Sequence, residues 1–339
     1  MSPRPFAQAP AFAVKKNRAN DVTEMDWDDL HFDFNLPHDR PFDVVGFGEN
    51  AVDSVCRVRR LPEPDTKVRM ERMLRFCGGQ VATACSFWAR LGLRTRYVGR
   101  VGEDELGRFV ADELGRERMD LKLEIVPGAA SHHSLILVDR ATGGRTILYD
   151  RDPALQYREG ELDRELLVQG RLLHLDAGDL EASIQAARWV SEAGGIVSVD
   201  IDRVEPGTEQ LLARADVLIA NRSFVTDFGK TGDWRSDLAV VADACPGFVA
   251  VTRGAAGAAA CWRGRLAEFS PYSVGTVDST GAGDMFHAAF VYAVVAGWPI
   301  GRCMRFANAA GALACTRLGA RPAIPTLDEI LALEIRSAP

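Results

Sequence analysis

What the 339-residue chain lacks narrows its function before any motif is read. No stretch reaches the ~18 to 20 apolar residues that span a bilayer, and Lys15, Lys16 and Arg18 have no apolar run beside them to make a secretory leader. Basic charge is not in excess: 40 Lys and Arg against 47 Asp and Glu leave −7, so the surface as a whole repels nucleic acid and anionic membranes. The seven cysteines (Cys56, Cys77, Cys85, Cys245, Cys261, Cys303, Cys315) form no CxxC pair and no zinc spacing with histidine. Their odd, scattered placement suits a reducing compartment. The expectation is a soluble, cytoplasmic protein with neither nucleic-acid nor membrane partners. With 47% hydrophobic and 26% charged residues, the chain can bury a large core of about two domains.

Residues 1–40 mix Pro, Asp, Asn and isolated aromatics without a period of 2.0 or 3.6, as expected of a poorly structured extension. Trp27, Phe32 and Phe34 offer the alternative of an anchor on the domain or on a partner. From Phe42 the pattern changes. FDVVGFG is a short apolar run of the kind buried parallel strands show, and VCRVRRLP alternates until Pro62 stops it. After Gly79, Val81, Ala84, Cys85, Trp88 and Leu91 recur at helical spacing with Gly92 behind them. YVGRVG, LLHLDA, IVSVDID, DVLIAN and FVAVT read as strands, with helical patterns over Leu106 to Leu114, Ile184 to Val190, Met285 to Phe290 and Met304 to Ala314. This alternation predicts an α/β fold, a doubly wound and mostly parallel sheet with helices on both faces. Two antiparallel-looking pieces, near 53–76 and 131–150, do not fit that layer and are expected to form a separate small sheet over a domain spanning 41–332, with 333–339 as a tail.

The chemistry concentrates in Val277-Asp278-Ser279-Thr280-Gly281-Ala282-Gly283-Asp284, which opens the helix MFHAAFVYAVVAG. A Gly-Ala-Gly turn at a helix start leaves backbone N–H groups pointing outward at the positive end of the helix dipole, where anions bind. Asp284 in that first turn has two readings. It either caps the helix, worth about 1 kcal/mol, or acts as a general base beside a transferring phosphoryl group.

VDSTGAGDMFHAAF resembles the C-terminal signature of the ribokinase-like (PfkB) carbohydrate kinases, and CGGQVATACSFWARLG followed by VGRVGEDELG resembles that family's second signature. The two stand in the family's order about 200 residues apart, and the resemblance runs from about Phe42 to Ala332. It implies a doubly wound core with a β lid and ATP-dependent phosphorylation of a small sugar. By the same resemblance Asp284 is the base, and Gly281, Ala282 and Gly283 form the anion hole. Asp53, Asn50, Gly78 and Gly79 hold the acceptor. Thr252, Gly254, Gly257, Asn221 and Asn308 lie along ATP. Mg2+ accompanies the nucleotide, a monovalent cation such as K+ is a further expectation, and a homodimer through the lid is implied.

Three positions depart from the family pattern: Thr83 and Asp202 each replace a frequent Asn, and Phe224 replaces the glutamate of an NxxE motif that helps organise magnesium. The helix start ATA, FHAA after Asp284, and CTRLGARPAIP are similar to the sulfofructose kinase and ketohexokinase branch, which implies a ketose acceptor, fructose-like or anionic. Lys67 and Arg69, on an expected lid strand, and Arg203 could hold an anionic substituent; the other reading of the first two is solubility of an edge strand. His132 and His133 read as a surface pair with substrate contact as the alternative, His287 as packed or partnered locally and not a proton carrier, and His174 as a satisfied core residue. The competing classes are a nucleoside kinase of the same fold, a non-catalytic sugar or nucleotide sensor, and a dehydrogenase. The last rests on Gly46-Phe47-Gly48-Glu49-Asn50-Ala51, a GxGxxA match that opens a strand-like segment where a Rossmann turn opens a helix.

Overall fold

The computed structural model describes residues 26–158 and 160–336. In chain order, β1 (Phe42–Phe47) leads to the antiparallel pair β2 (Ala51–Val58) and β3 (Met70–Gly78), then α1 (Gln80–Arg90), β4 (Thr95–Gly102), α2 (Glu105–Leu114) and β5 (Asp120–Val126). A hairpin of β6 (His133–Asp139) and β7 (Arg145–Asp150) follows, then α3 (Arg164–Leu167). Next come β8 (Gly170–Asp176), α4 (Leu180–Glu192), β9 (Ile196–Ile201), α5 (Thr208–Leu212), β10 (Val217–Asn221), α6 (Arg222–Gly229), α7 (Trp234–Ala244) and β11 (Phe248–Thr252). The chain closes with β12 (Ala258–Trp262), β13 (Arg265–Phe269), α8 (Ala282–Val295), α9 (Ile300–Ala314) and α10 (Leu327–Arg336).

Nine strands form one sheet in the order β13-β12-β11-β10-β9-β8-β1-β4-β5, parallel from β11 to β5 with an antiparallel β11-β12-β13 edge. β8, β9, β10 and β11 are near-continuous apolar runs because both their faces are covered. One core lies under α1, α8, α9 and α10, the other under α3 to α7. Helix starts are fixed by side chains where the sequence supplies them: Asp104, Asp179, Asn221 and Asp233 cap α2, α4, α6 and α7. Gly46 lets α1 sit directly on β1, since a Cβ there would lie 2.2 Å from Cys85 Sγ.

The chain winds outward from β1 to β5 and then returns to β8 on the other side, so the strand order reverses between β1 and β8. Crevices for ligands open at the carboxyl ends of strands beside such a reversal. Over it lies the second sheet, β3-β2-β6-β7, with β2 and β6 parallel and the other neighbours antiparallel. It is the small lid sheet expected from the two leftover segments. The β12-β13 hairpin was not expected.

Of the 40-residue extension, residues 1–25 lie outside the described residues. Residues 26–40 contain no strand or helix, yet Leu30 is buried and Phe32 meets Phe248 edge-on at 5.5 Å. The carbonyls of Leu30 and Trp27 accept hydrogen bonds from Ile300 and Gly301 N–H, at 2.7 and 2.8 Å. No side chain caps α9, so this segment supplies the acceptors its first turn needs.

Candidate active site

The Gly-Ala-Gly turn stands at the start of α8, with Asp284 in its first turn. Gly281 is the N-cap residue with φ +79°, and no side chain caps the helix. Asp284 is therefore not a cap, and the first-turn N–H groups are left to a ligand. Gly281 is required twice over: its φ is left-handed, and a Cβ would lie 2.7 Å from that of Ala320. At Gly283 a Cβ would meet nothing within 4 Å, so this side of the turn is open. Buried Asp278 holds the approach, its carboxylate accepting from Thr280 N–H (2.9 Å), Thr280 Oγ1 (2.7 Å) and Gly319 N–H (2.8 Å).

The lid delivers the second carboxylate. Cross-strand pairing places Phe76, Asp53, Ser134 and Tyr149 in one row across the four lid strands, and Arg145 and Ile147 on the same face. Burial and the neighbouring Asp284 push Asp53 up to about 7, opposed by a hydrogen bond from Ser134. Burial likewise pushes Asp284 up to about 6, opposed by the Arg145 guanidinium. Gly78 lies hard against Asp53, where a Cβ would stand 2.0 Å from Oδ2. Gly79, at φ +89°, packs onto the Asn50 backbone, 2.4 Å from a Cβ to Asn50 Cα. Arg145 closes the lid on the turn by donating to the Ser279 carbonyl and Oγ, both at 2.9 Å. Two carboxylates with raised pKa values face an uncapped, anion-seeking helix start. Such a set can take a proton from a hydroxyl while N–H groups steady an adjoining phosphoryl group.

The pfkB family of carbohydrate kinases matches residues 42–327. The chain belongs to that family. It is 30% identical over 283 residues to a fructokinase of Klebsiella pneumoniae, covering 76% of this chain and 92% of the relative. A nucleoside kinase of Methanothermobacter thermautotrophicus is 24% identical over 297 residues, 85% of this chain and 94% of that one. The structure of Arabidopsis thaliana ribokinase complexed with ribose and ATP superposes with a TM-score of 0.73 at 26% identity, covering 86% and 98% of the two chains. The fold is ribokinase-like, and the lid is part of it.

Asn221 and Thr252 end adjacent strands β10 and β11, paired in register. Asn221 Oδ1 accepts from Phe224 N–H and Ser223 Oγ, both at 2.8 Å, so its oxygen is committed to capping α6. Gly254 and Gly257 both adopt positive φ in the turn after β11. Asn308 is buried, donating to the carbonyls of Phe269 and Ser270. Phe224 is fully buried and stacks on Phe228, so the ring belongs to the core and leaves no acid at that position. Asp202 and Glu205 stand beyond β9, joined by Arg203 at 3.6 and 3.7 Å.

Several expected residues lie elsewhere or do other work. Lys67 is exposed in the loop before β3, as is Arg69, and neither stands on a lid strand. Arg203 donates to Tyr149 Oη at 2.8 Å, so it ties core to lid. The Asn50 amide is spent on Tyr97 Oη (2.8 Å) and the Arg100 carbonyl (3.0 Å), while Tyr97 donates to the Gly48 carbonyl. Asn50 thus sets the backbone that Gly79 packs on. Thr83 is fully buried with its hydroxyl unpartnered among the described residues. His132 and His133 are not a surface pair: His132 is buried 3.9 Å from Glu49, and His133 Nε2 lies 2.9 Å from Ser54 Oγ. His287 is partnered by Asp200, 87 positions away in sequence, at 3.2 Å.

Sequence reasoning missed the wall beside Asn50. Glu49 lies 3.4 Å from Arg151 and donates its N–H to Asp176 Oδ2 at 2.7 Å. Burial, with Glu49 close by, pushes Asp176 up to about 7. Glu49 follows β1 and Asp176 ends β8, the two strands that flank the reversal; that topology is the signal that could have found them.

Proposed function

We propose that the protein transfers the γ-phosphoryl group of ATP to a hydroxyl of a small, neutral, polyhydroxylated acceptor, foremost a ketose of the fructose type. The observation that carries this reading is the pairing of Asp284 with Asp53 at an uncapped helix start. Asp53 accepts hydrogen bonds from acceptor hydroxyls through two oxygens. Asp284 takes the proton of the hydroxyl that attacks. The oxygen bonds to the γ-phosphorus as the bond to the β-phosphate bridge breaks, and ADP leaves. The N–H groups of Gly281, Ala282 and Gly283 hold the charge on the moving group. Closure of the lid through Arg145 keeps water away, so transfer is favoured over hydrolysis.

The residues fit magnesium nucleotide. Mg2+ keeps several waters and takes one or two carboxylates besides the phosphates. Asp202, whose carbonyl lies 3.4 Å from the Asn221 amide nitrogen, and Glu205, joined to it through Arg203, offer such oxygens. Bound there, the ion supplies charge neutralisation. Dependence on a monovalent cation such as K+ belongs to the same reading and is checked by exchanging K+ for Na+ in the assay.

The neutral acceptor is preferred to an anionic one because carboxylates line the site and the cations once assigned to it are engaged elsewhere or point into solvent. Fructokinase relatives support the ketose. A second reading, a nucleoside, draws on Ile147 and Tyr149, which are 44% and 58% exposed on the lid face that carries Asp53 and could shelter a base. The opposite face exposes Met73, Leu135 and Leu148, which supports a homodimer through the lid, testable by light scattering. A screen of ADP release over ketoses, aldoses, anionic sugars and nucleosides decides among the substrates. Turnover of nucleosides alone would overturn the ketose reading.

A further inference from the structure

Behind the acceptor site, three buried side chains that the transfer reaction does not use come together. His174 stands on β8, Asp200 on β9, and His287 on α8 three residues beyond Asp284; they are 0%, 5% and 4% exposed. One ring nitrogen from each histidine and one Asp200 oxygen lie within 4.8 Å of one another, and His287 Nε2 is 3.2 Å from Asp200 Oδ1. Sheet register builds the cluster. His174 pairs with Ser198 and Asp176 with Asp200, so 174 and 200 share the sheet face that α8 covers.

A simple hydrogen-bonded pair does not account for this arrangement. Buried polar atoms almost always find a partner, yet His174 Nε2 and His287 Nδ1 have none among the described residues. His174 is oriented from its other nitrogen, Nδ1, by Ser198 Oγ at 3.1 Å. A metal-ligating imidazole is characteristically held in this way through the nitrogen that does not bind.

We propose that His174, Asp200 and His287 form a binding site for a divalent first-row transition-metal ion of the zinc class. Two imidazole nitrogens and one carboxylate oxygen are donors for such an ion, and a poor set for Mg2+, which prefers oxygen alone. The ion would cross-link β8, β9 and the helix that carries Asp284. It is separate from the magnesium that accompanies ATP, and it does not depend on which acceptor is phosphorylated.

The test uses the full-length, tag-free protein, stripped with a chelator and titrated with Co2+ in the absence of nucleotide. The expected result is one equivalent bound with the intense visible absorption of a low-coordinate site, displaced by Zn2+ and not by Mg2+. His174→Gln and Asp200→Asn should each weaken Co2+ binding by roughly 100-fold or more, and Ser198→Ala, which keeps every ligand, by about 10-fold. Zn2+ should also raise the unfolding temperature of the wild type and not of Asp200→Asn. Should His174→Gln fail to fold, the isosteric Asp200→Asn and Ser198→Ala, which keeps every ligand, decide the matter. Absence of a visible band in the wild type, or a band of unchanged affinity in Asp200→Asn, would overturn the proposal.

Discussion

Acidification should silence the enzyme in two steps that can be told apart. Asp284 must be ionised to accept a proton, and its carboxyl is pushed up to about 6. Asp53 is pushed up to about 7 and is expected to hold the acceptor best as the anion. Because the two carboxylates interact, these values belong to the pair. The sign is the same for both: activity is present above the raised values and lost as pH falls through them. At pH 5 about a tenth of Asp284 and about a hundredth of Asp53 remain ionised, against nearly all of both at pH 8. The value of kcat/KM for the acceptor should therefore fall about a thousand-fold from pH 8 to pH 5, starting below about pH 7, with a slope approaching two. At saturating acceptor, where Asp53 is held in its working form, kcat should fall only about ten-fold, with a slope of one. ADP quantified by chromatography at fixed pH gives both profiles without coupling enzymes. Asp53→Asn should remove the upper step and keep the lower. A kcat that stays flat between pH 8 and pH 5 would refute the assignment of Asp284 as the base.

Other expectations follow from single contacts. Arg145→Gln removes the cation that opposes burial at Asp284 and the latch onto Ser279, so the acid limb of kcat should move to higher pH while KM for the acceptor rises; pH-rate profiles read both. Gly79→Ala adds a Cβ 2.4 Å from Asn50 Cα at φ +89° and should cost roughly 1–3 kcal/mol in urea unfolding, together with a raised acceptor KM. Trp88→Phe leaves the buried Ala288 carbonyl without the indole N–H that now donates to it at 2.7 Å; unfolding in urea should show a loss of about 1–3 kcal/mol.

The parts of this molecule that are legible in its sequence are those written in local pattern. The apolar runs of β8 to β11 and the Gly-Ala-Gly turn each carry their own signal, and the two alternating segments near 53–76 and 131–150 announced a second sheet. What escaped was written in small residues or in register. Ala258–Trp262 is alanine-rich and has none of the β-branched residues that mark a strand, so the β12-β13 hairpin gave no cue. His174, Asp200 and His287 stand in three elements and meet only because the strands pair as they do. The latch from Arg145 to Ser279 spans 134 positions. Lys67 and Arg69 looked like strand residues because their neighbours alternate, whereas β3 begins only at Met70. For His132, an apparent surface position became a buried one once Glu49 and Tyr149 closed around it.

The central claim is that Asp284 performs the proton transfer and does not merely shape the helix start, and Asp284→Asn tests it most directly. The variant keeps the size of the side chain and the uncapped turn. Measured with the best acceptor from the screen, it should bind ATP and acceptor within a few-fold of the wild type while kcat for ADP release drops roughly 10²- to 10⁴-fold. A variant that binds both ligands and turns over at the wild-type rate would contradict the account.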